Sequence, residues 1–276
     1  MSVPSSSVSA PDPGQPMGPT KRWIAVSVVA PIAGVLAFLA VWQLVVIVFG
    51  IKEFELPRPT AVFGHIFGDL GFYARNARTT LWEASLGFVL ALVLAMSAAI
   101  VMAHSRFLEH AALPLVVLVQ VTPIIAYAPA VVIWLGFGLK PILLITTLVC
   151  FVPFLVNAVT GLRSVDPATL ELMRSVRASR REVFFVLRVP HALPYLFSAA
   201  RIAVGLALIG AVLGEFFAGV TGGLGYAVKV AQNHSLVLQL WGSIFVLGFL
   251  GALAVLALSG TERVLLRWHH SQLSGR

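Results

Sequence analysis

The sequence predicts an all-α membrane protein, a polytopic bundle of about six transmembrane helices. Hydrophobic residues make up 59% of the 276 residues and charged residues only 11%, whereas soluble domains carry about 25% charged residues. The apolar residues form separate runs, each long enough to cross a bilayer as a helix. Alternating strands of a membrane β-barrel are not visible, and helices satisfy their own backbone hydrogen bonds in lipid.

The predicted elements follow one another along the chain with short polar segments between them. Residues 1–20 are rich in Pro, Ser and Gly and are predicted to be a disordered cytoplasmic tail. Residues 21–55 carry the first span, and 269–276 form a short basic tail. An amphipathic pattern around 60–77 predicts a surface helix. The six predicted spans are 23–50, 81–103, 111–135, 141–161, 194–218 and 237–260.

The net charge of +8 is interpreted as a topology signal rather than as a nucleic-acid footprint. The Lys and Arg residues stand at the ends of apolar runs. If the N-terminus lies inside, the inner loops hold twice as many Lys and Arg as the outer loops. Positive residues favour the cytoplasmic side, so both termini are predicted to be cytoplasmic.

The longest predicted cytoplasmic loop, residues 162–193, begins with a capped helix. Asp166 can serve as its N-cap, with Pro167 at the first helical position. The helix is predicted to run to about Val176, with Leu170, Met173 and Val176 on one side.

A second short helix is predicted in the same loop. Ser179 and Glu182 have the spacing of a capping box, which would open a helix over 183–187 that Pro190 stops. The two helices would meet at 177–178, with six arginines on or beside them. Such a charged, amphipathic elbow could dock into a partner's groove or lie against anionic lipid, and the residues leave both interpretations open.

The run from Glu171 to Pro190 resembles the "EAA" signature of binding-protein-dependent ABC permeases. Glu171 matches the signature Glu, and Leu187 and Pro190 match its end. Two departures stand out: residues 172–173 are Leu-Met instead of Ala-Ala, and Arg177 takes the place of the usual Gly. If the turn there is left-handed, Arg costs about 1 kcal/mol relative to Gly.

The resemblance extends over residues 56–268, to the nitrate/sulfonate/taurine branch, whose relatives also carry pyrimidine precursors or riboflavin. It is carried by several short motifs spread along the chain: Leu56-Pro57-Arg58-Pro59, Thr122-Pro123 through Tyr127 to Pro129, Trp134-Leu-Gly136-Phe-Gly138, Gly161 to Asp166, Leu193-Pro194, Arg201 to Gly205, Gly214-Glu215-Phe216 and Gly223-Leu-Gly225-Tyr226.

The resemblance implies a type I ABC importer permease in the bacterial cytoplasmic membrane. Two copies, a permease homodimer in lipid, would surround one path for a small organic anion or a vitamin-like heterocycle. An external solute-binding protein would deliver the solute, and a cytoplasmic ATPase dimer would bind ATP and grip the 166–188 loop. The residues implied in coupling are Glu171, Arg174, Arg177, Ala178, Ser179 and Arg180. The sequence contains no P-loop motif, so no cofactor is expected on this chain.

Candidate transport-path residues are polar or helix-breaking positions inside the predicted spans: Thr122, Pro123, Tyr127, Asn157 and Glu215. Broken helices free backbone groups that can line a path, although Pro123 and Pro129 could equally be ordinary kinks. Asn157 could instead hydrogen-bond between helices. Glu215 could be a gate residue or a solvated residue near the outer interface, where Glu83 is also expected.

Enzymatic and metal chemistry find no support in the sequence. No catalytic serine or metalloprotease motif appears, and the histidines are scattered without metal-ligand spacing. Cys150 is the single cysteine, which excludes an intrachain disulfide. The alternative function is an ion-driven secondary transporter, for which Glu215 is the candidate acid, although no clear internal repeat supports it.

Overall fold

The computed structural model describes residues 21–104 and 106–265, and every element in these two ranges is helical. The predicted tails 1–20 and 269–276 lie outside the described residues. The elements in chain order are α1 (Lys21–Val48), α2 (Pro59–Gly68), α3 (Leu70–His104), α4 (Arg106–Val121), α5 (Ile124–Leu135), α6 (Leu139–Arg163), α7 (Pro167–Ser175), α8 (Arg180–Glu182), a π-helical turn (Val183–Arg188), α9 (Val189–Phe217), α10 (Leu224–Asn233) and α11 (Val237–Leu265).

Helix α6 is the centre of the bundle and packs between α3 and α9. In its most apolar window 56% of the residues are buried, against 6% in α1 and in α11. The core between α3, α6 and α9 is made largely of alanines, and α9 contributes one at every fourth position from Ala199 to Ala211. Small residues at this spacing let helix backbones approach closely in lipid.

Glycines bring α9 into direct backbone contact with α6. A Cβ atom at Gly210 would lie 2.7 Å from Thr146 Cα, and one at Gly214 would lie 2.8 Å from Ile142 Cα. The α6–α9 spacing therefore leaves no room for a methyl group at either glycine.

Helices α1, α2 and α11 pack together at the side of this core. Trp42 on α1 contacts the rings of Trp241 and Phe245 on α11. Thr60 on α2 donates backbone and side-chain hydrogen bonds to Gln43 Oε1, both at 3.4 Å. The predicted surface helix over 60–77 was wrong as a single element, because its second half belongs to the long helix α3.

Five of the six predicted spans are single helices in the described residues. The predicted span 111–135 is instead two helices, α4 and α5, separated at Thr122–Pro123. Pro123 lies at the N-cap of α5, where its missing N–H costs nothing. Pro129 was also expected to interrupt this span, but it lies within the unbroken helix α5.

Substituting Gly214 with Ala should destabilise the bundle by about 1–3 kcal/mol, since a Cβ there overpacks the contact with Ile142. Gly205→Ala on the same helix is the matched control, because nothing lies within 4 Å of its Cβ position. Thermal unfolding in detergent measures both variants. Equal unfolding temperatures for the two would contradict the close approach of α6 and α9.

Candidate functional sites at the two ends of the bundle

Helix α7 begins and ends with the local structures that its sequence encodes. Asp166 Oδ1 accepts a hydrogen bond from Ala168 N at 3.3 Å, with Pro167 at the first position, as predicted. At the other end Ala178 N donates to Met173 O and Arg177 N donates to Arg174 O, each at 2.9 Å. These two bonds form a Schellman motif, which requires a left-handed residue after the helix.

Arg177 is that left-handed residue, with φ 58°. The resemblance places a glycine at this position, and the structure explains why, because glycine adopts positive φ without steric cost. Arg177 therefore carries the strain of a left-handed conformation, about 1 kcal/mol relative to Gly.

The capping box at the start of α8 is confirmed. Ser179 N donates to Glu182 Oε2 at 2.6 Å, and Glu182 N donates to Ser179 Oγ at 3.2 Å. The predicted stop at Pro190 was wrong, since α8, the π-helical turn and α9 are continuous from Arg180 to Phe217. Pro190 lies in the first turn of α9, and Val189 N bonds to the carbonyl of Phe184, five residues back. A proline is tolerated in the first turn of a helix, where its missing N–H costs nothing. The wide π-helical turn before Pro190 creates the same situation within a continuous helix.

The segment 164–188, here called the elbow, brings the predicted coupling residues together on an exposed surface. Glu171, Arg174, Arg177, Ser179 and Arg180 are exposed, and Ala178 is half-buried. Ala178, Arg174 and Arg180 line a cavity of about 490 Å³ that reaches Ala103 at the end of α3.

Four large apolar side chains of the elbow are exposed to between 63% and 67%: Leu172, Val176, Phe185 and Val186. Leu170 and Met173, which were predicted to share one side of the helix with Val176, are half-buried, whereas Val176 is exposed. The elbow therefore combines exposed positive charge with exposed apolar surface.

The predicted path residues do not form one cluster. Thr122 Oγ1 donates to the Leu118 carbonyl at 2.8 Å, and Pro123 marks the junction of α4 and α5. Tyr127 is half-buried against the contact of α5 with α6. Asn157 Nδ2 donates to the Pro153 carbonyl of its own helix at 2.9 Å, and the described residues show no interhelical bond from it.

Glu215 is fully buried at the end of the bundle opposite the elbow, so the solvated alternative was wrong. Its carboxylate accepts hydrogen bonds from Thr80 Oγ1 and from Gly225 N, both at 2.6 Å. Thr80 Oγ1 in turn accepts from Leu224 N at 2.8 Å, and Asn76 Oδ1 accepts from Gly223 N at 3.0 Å.

Asn76, Thr80, Glu83, Glu215 and the first backbone N–H groups of α10 are here called the carboxylate node. Glu83, expected at the outer interface, is 5% exposed, and its carboxyl group lies against that of Glu215. The N-terminus of a helix carries partial positive charge and free N–H donors, so a buried carboxylate fits there. The node joins α3, α9 and α10.

Two glycines let the Glu215 carboxylate reach the backbone of α10. Gly223 has φ +100°, and a Cβ atom there would collide with the carboxylate itself. A Cβ at Gly225 would lie 2.9 Å from Glu215 Oε2. The sequence analysis placed no helix between the spans 194–218 and 237–260, and it therefore missed helix α10. The signal was present as a glycine cluster a few residues after an intramembrane acid.

Comparison with known protein families gives a match over residues 87–268 to the family described as "Binding-protein-dependent transport system inner membrane component". The formylaminopyrimidine transport permease protein ThiX of Halalkalibacterium halodurans is 32% identical, over 86% of this chain and 94% of its own length. The riboflavin transport system permease protein RibX of Chloroflexus aurantiacus is 33% identical, over 84% and 87%. The taurine transport system permease protein TauC of Escherichia coli is 28% identical, over 90% and 93%.

Among solved structures, the fold is similar to a chain of the MetNI methionine ABC transporter in inward-facing conformations. The TM-score is 0.52 with 18% sequence identity, covering 69% of this chain and 98% of that chain. At this identity the likeness bears on the fold, and it agrees with the predicted type I importer permease architecture.

Replacing Thr80 with Val should destabilise the protein by about 1–3 kcal/mol, because the Leu224 N–H loses its buried acceptor and Glu215 loses a donor. Thermal unfolding in detergent measures the effect. Thr79→Val is the matched control, since its hydroxyl donates to the Arg75 carbonyl of its own helix. A Thr80→Val variant as stable as the control would contradict the node.

Proposed function

The chain belongs to the family of binding-protein-dependent transport system inner membrane components, and on that premise we propose that its elbow docks a separate ATPase. The chain is the permease subunit of an importer and does not itself carry an ATPase motif in its sequence. ATP binding and hydrolysis in the partner would move the elbow, and the elbow would move the helices around the solute path.

The single observation that supports docking at the elbow is its exposed but locally rigid construction. Asp166, the Schellman turn and the capping box hold the backbone of the elbow through hydrogen bonds within the segment itself. Leu172 and Val176 remain exposed beside the arginines. An amphipathic helix with exposed apolar anchors fits a groove in a partner protein.

The elbow is also braced against the bundle, so a push on it would reach the spans. Arg163 Nη2 donates to the Met102 carbonyl at 3.0 Å and joins the ends of α6 and α3. On the other side the elbow continues without a break into α9. These connections support a coupling role for 166–188 rather than a role in resting on lipid.

Two copies of the chain are proposed to enclose the path, with lipid around the outside. The exposed faces of α1 and α11 suit lipid contact, and large apolar side chains of α5 such as Ile133 and Trp134 are 86% and 79% exposed. A cysteine that replaces Trp134 should cross-link to the same cysteine of the second copy. Detection of this cross-linked dimer tests the proposed pair.

The proposed solute is a vitamin-like heterocycle, with a small organic anion as the second candidate. Two of the relatives above 30% identity are named for formylaminopyrimidine and riboflavin, and the taurine relative is more distant. Uptake of these three labelled compounds by vesicles that hold the complete importer separates the two classes. The family to which the chain belongs argues against the ion-driven alternative.

Charge reversal by Glu171→Lys should weaken docking of the ATPase by about 2 kcal/mol or more, since Glu171 lies exposed on the elbow. Ala178→Asp, which places a carboxylate in the elbow cavity, should act in the same direction. Co-purification of the ATPase and solute uptake by vesicles measure the loss.

Glu53→Lys is the matched control for these variants, because Glu53 is an exposed acid outside the elbow. Arg177→Gly should keep transport, since it relieves the left-handed strain without altering the turn. Normal uptake and normal ATPase binding by both Glu171→Lys and Ala178→Asp would contradict docking at the elbow.

Both termini and the elbow are proposed to lie in the cytoplasm, and single-cysteine labelling tests this orientation. Cys150 is buried, so an added surface cysteine is the reactive one. The test uses intact cells that produce the chain without its ATPase. An impermeant maleimide should label the His234→Cys variant in these cells. It should label the Ser175→Cys variant only after the cells are permeabilised. The reverse pattern would invert the orientation.

A further inference from the structure

The two acids of the carboxylate node have very different surroundings. Glu215 accepts hydrogen bonds from Thr80 Oγ1 and from Gly225 N. The polar contact of Glu83 in the described residues is with Glu215, and Glu83 Oε2 is buried without any hydrogen-bond partner there. Glu215 therefore has two donors, whereas Glu83 has none among the described residues.

The carboxyl groups of Glu83 and Glu215 are both buried and in contact, and a hydrogen bond between two carboxyl groups requires a proton on one of them. Two ionised carboxylates in contact repel each other, and buried pairs of this kind retain a shared proton. The described lysines and arginines do not relieve this repulsion, because none forms an ion pair with either acid. Lys229, the nearby cation on α10, donates to the Phe216 carbonyl at 2.7 Å instead.

The distribution of donors decides which acid carries the proton. Hydrogen bonds from the hydroxyl and N–H groups stabilise an ionised Glu215, as does the positive end of α10. An ionised Glu83 would bury a charge and leave Oε2 without a donor, which is costly at 5% exposure. A protonated Glu83 instead donates its O–H to Glu215.

We propose that Glu83 and Glu215 form a proton-binding site inside the membrane domain, with the proton held on Glu83 and donated to Glu215. The bound proton removes one of two adjacent negative charges and leaves the other facing the N-terminus of α10. The site thus keeps α10 attached to α3 and α9, and it is independent of which solute the importer carries.

Infrared difference spectroscopy of the full-length chain in lipid tests the proposal directly. The spectrum of the wild type minus that of Glu83→Gln should contain the carbonyl band of a protonated carboxylic acid at neutral pH. Glu55→Gln is the control, because Glu55 is exposed and its difference spectrum should show an ionised carboxylate. An ionised carboxylate band in the spectrum of the wild type minus that of Glu83→Gln would overturn the proposal in favour of two ionised acids. This holds whether or not the carboxylate band depends on added sodium.

Stability measurements distinguish the roles of the two acids. Glu83→Gln should unfold at nearly the wild-type temperature, since its amide N–H replaces the O–H donor to Glu215. Glu215→Gln should unfold at a clearly lower temperature, because an amide carries one acceptor oxygen and presents an N–H to backbone donors. Equal losses in the two variants would overturn the assignment of the proton to Glu83.

If Glu83→Gln does not fold, the wild type still provides a test. Labelling all glutamates with carbon-13 should shift a carboxylic acid band that is present at neutral pH. The absence of any such band would overturn the proposal.

Discussion

The close approach of α6 to α3 and α9 is the contact on which both ends of the molecule depend. Lipid offers no hydrophobic driving force between helices, so van der Waals contact between small residues holds the bundle together. Gly214 lies against Ile142, and the next residue is Glu215. A wider α6–α9 spacing would therefore move the carboxylate away from Thr80 and from α10. It would also displace the elbow, which connects these same two helices at the other end.

Short helix α10 is held by complementary charges at both of its connections to α9. The Gly225 N–H in its first turn donates to the Glu215 carboxylate, which compensates the partial positive charge of the helix N-terminus. The Lys229 ammonium binds the Phe216 carbonyl near the C-terminus of α9, where carbonyls lack helical partners. The connection 218–223 between the helices can then turn sharply, with Gly219 and Gly223 both at positive φ.

The elbow was predictable because its structure follows local rules. A cap at Asp166, a capping box at Ser179 and a junction at Arg177 depend on residues a few positions apart, and all three are present. The continuous path through Pro190 was not predictable in the same way, because a wide π-helical turn replaces the expected stop. The partners of Glu215 were also out of reach. Thr80 lies on another helix, and no local pattern pairs the two residues.

Helix α9 joins these two ends mechanically. It is continuous with the elbow from Arg180 and reaches Glu215 near its other end, a distance of roughly 50 Å at 1.5 Å per residue. A helix packed along much of its length against α6 transmits displacement better than it absorbs it, because packed interiors are incompressible. Movement of a docked ATPase would therefore reach the α10 end through one covalent element. Such a movement would either displace α10 together with α9 or break the hydrogen bonds that Glu215 accepts.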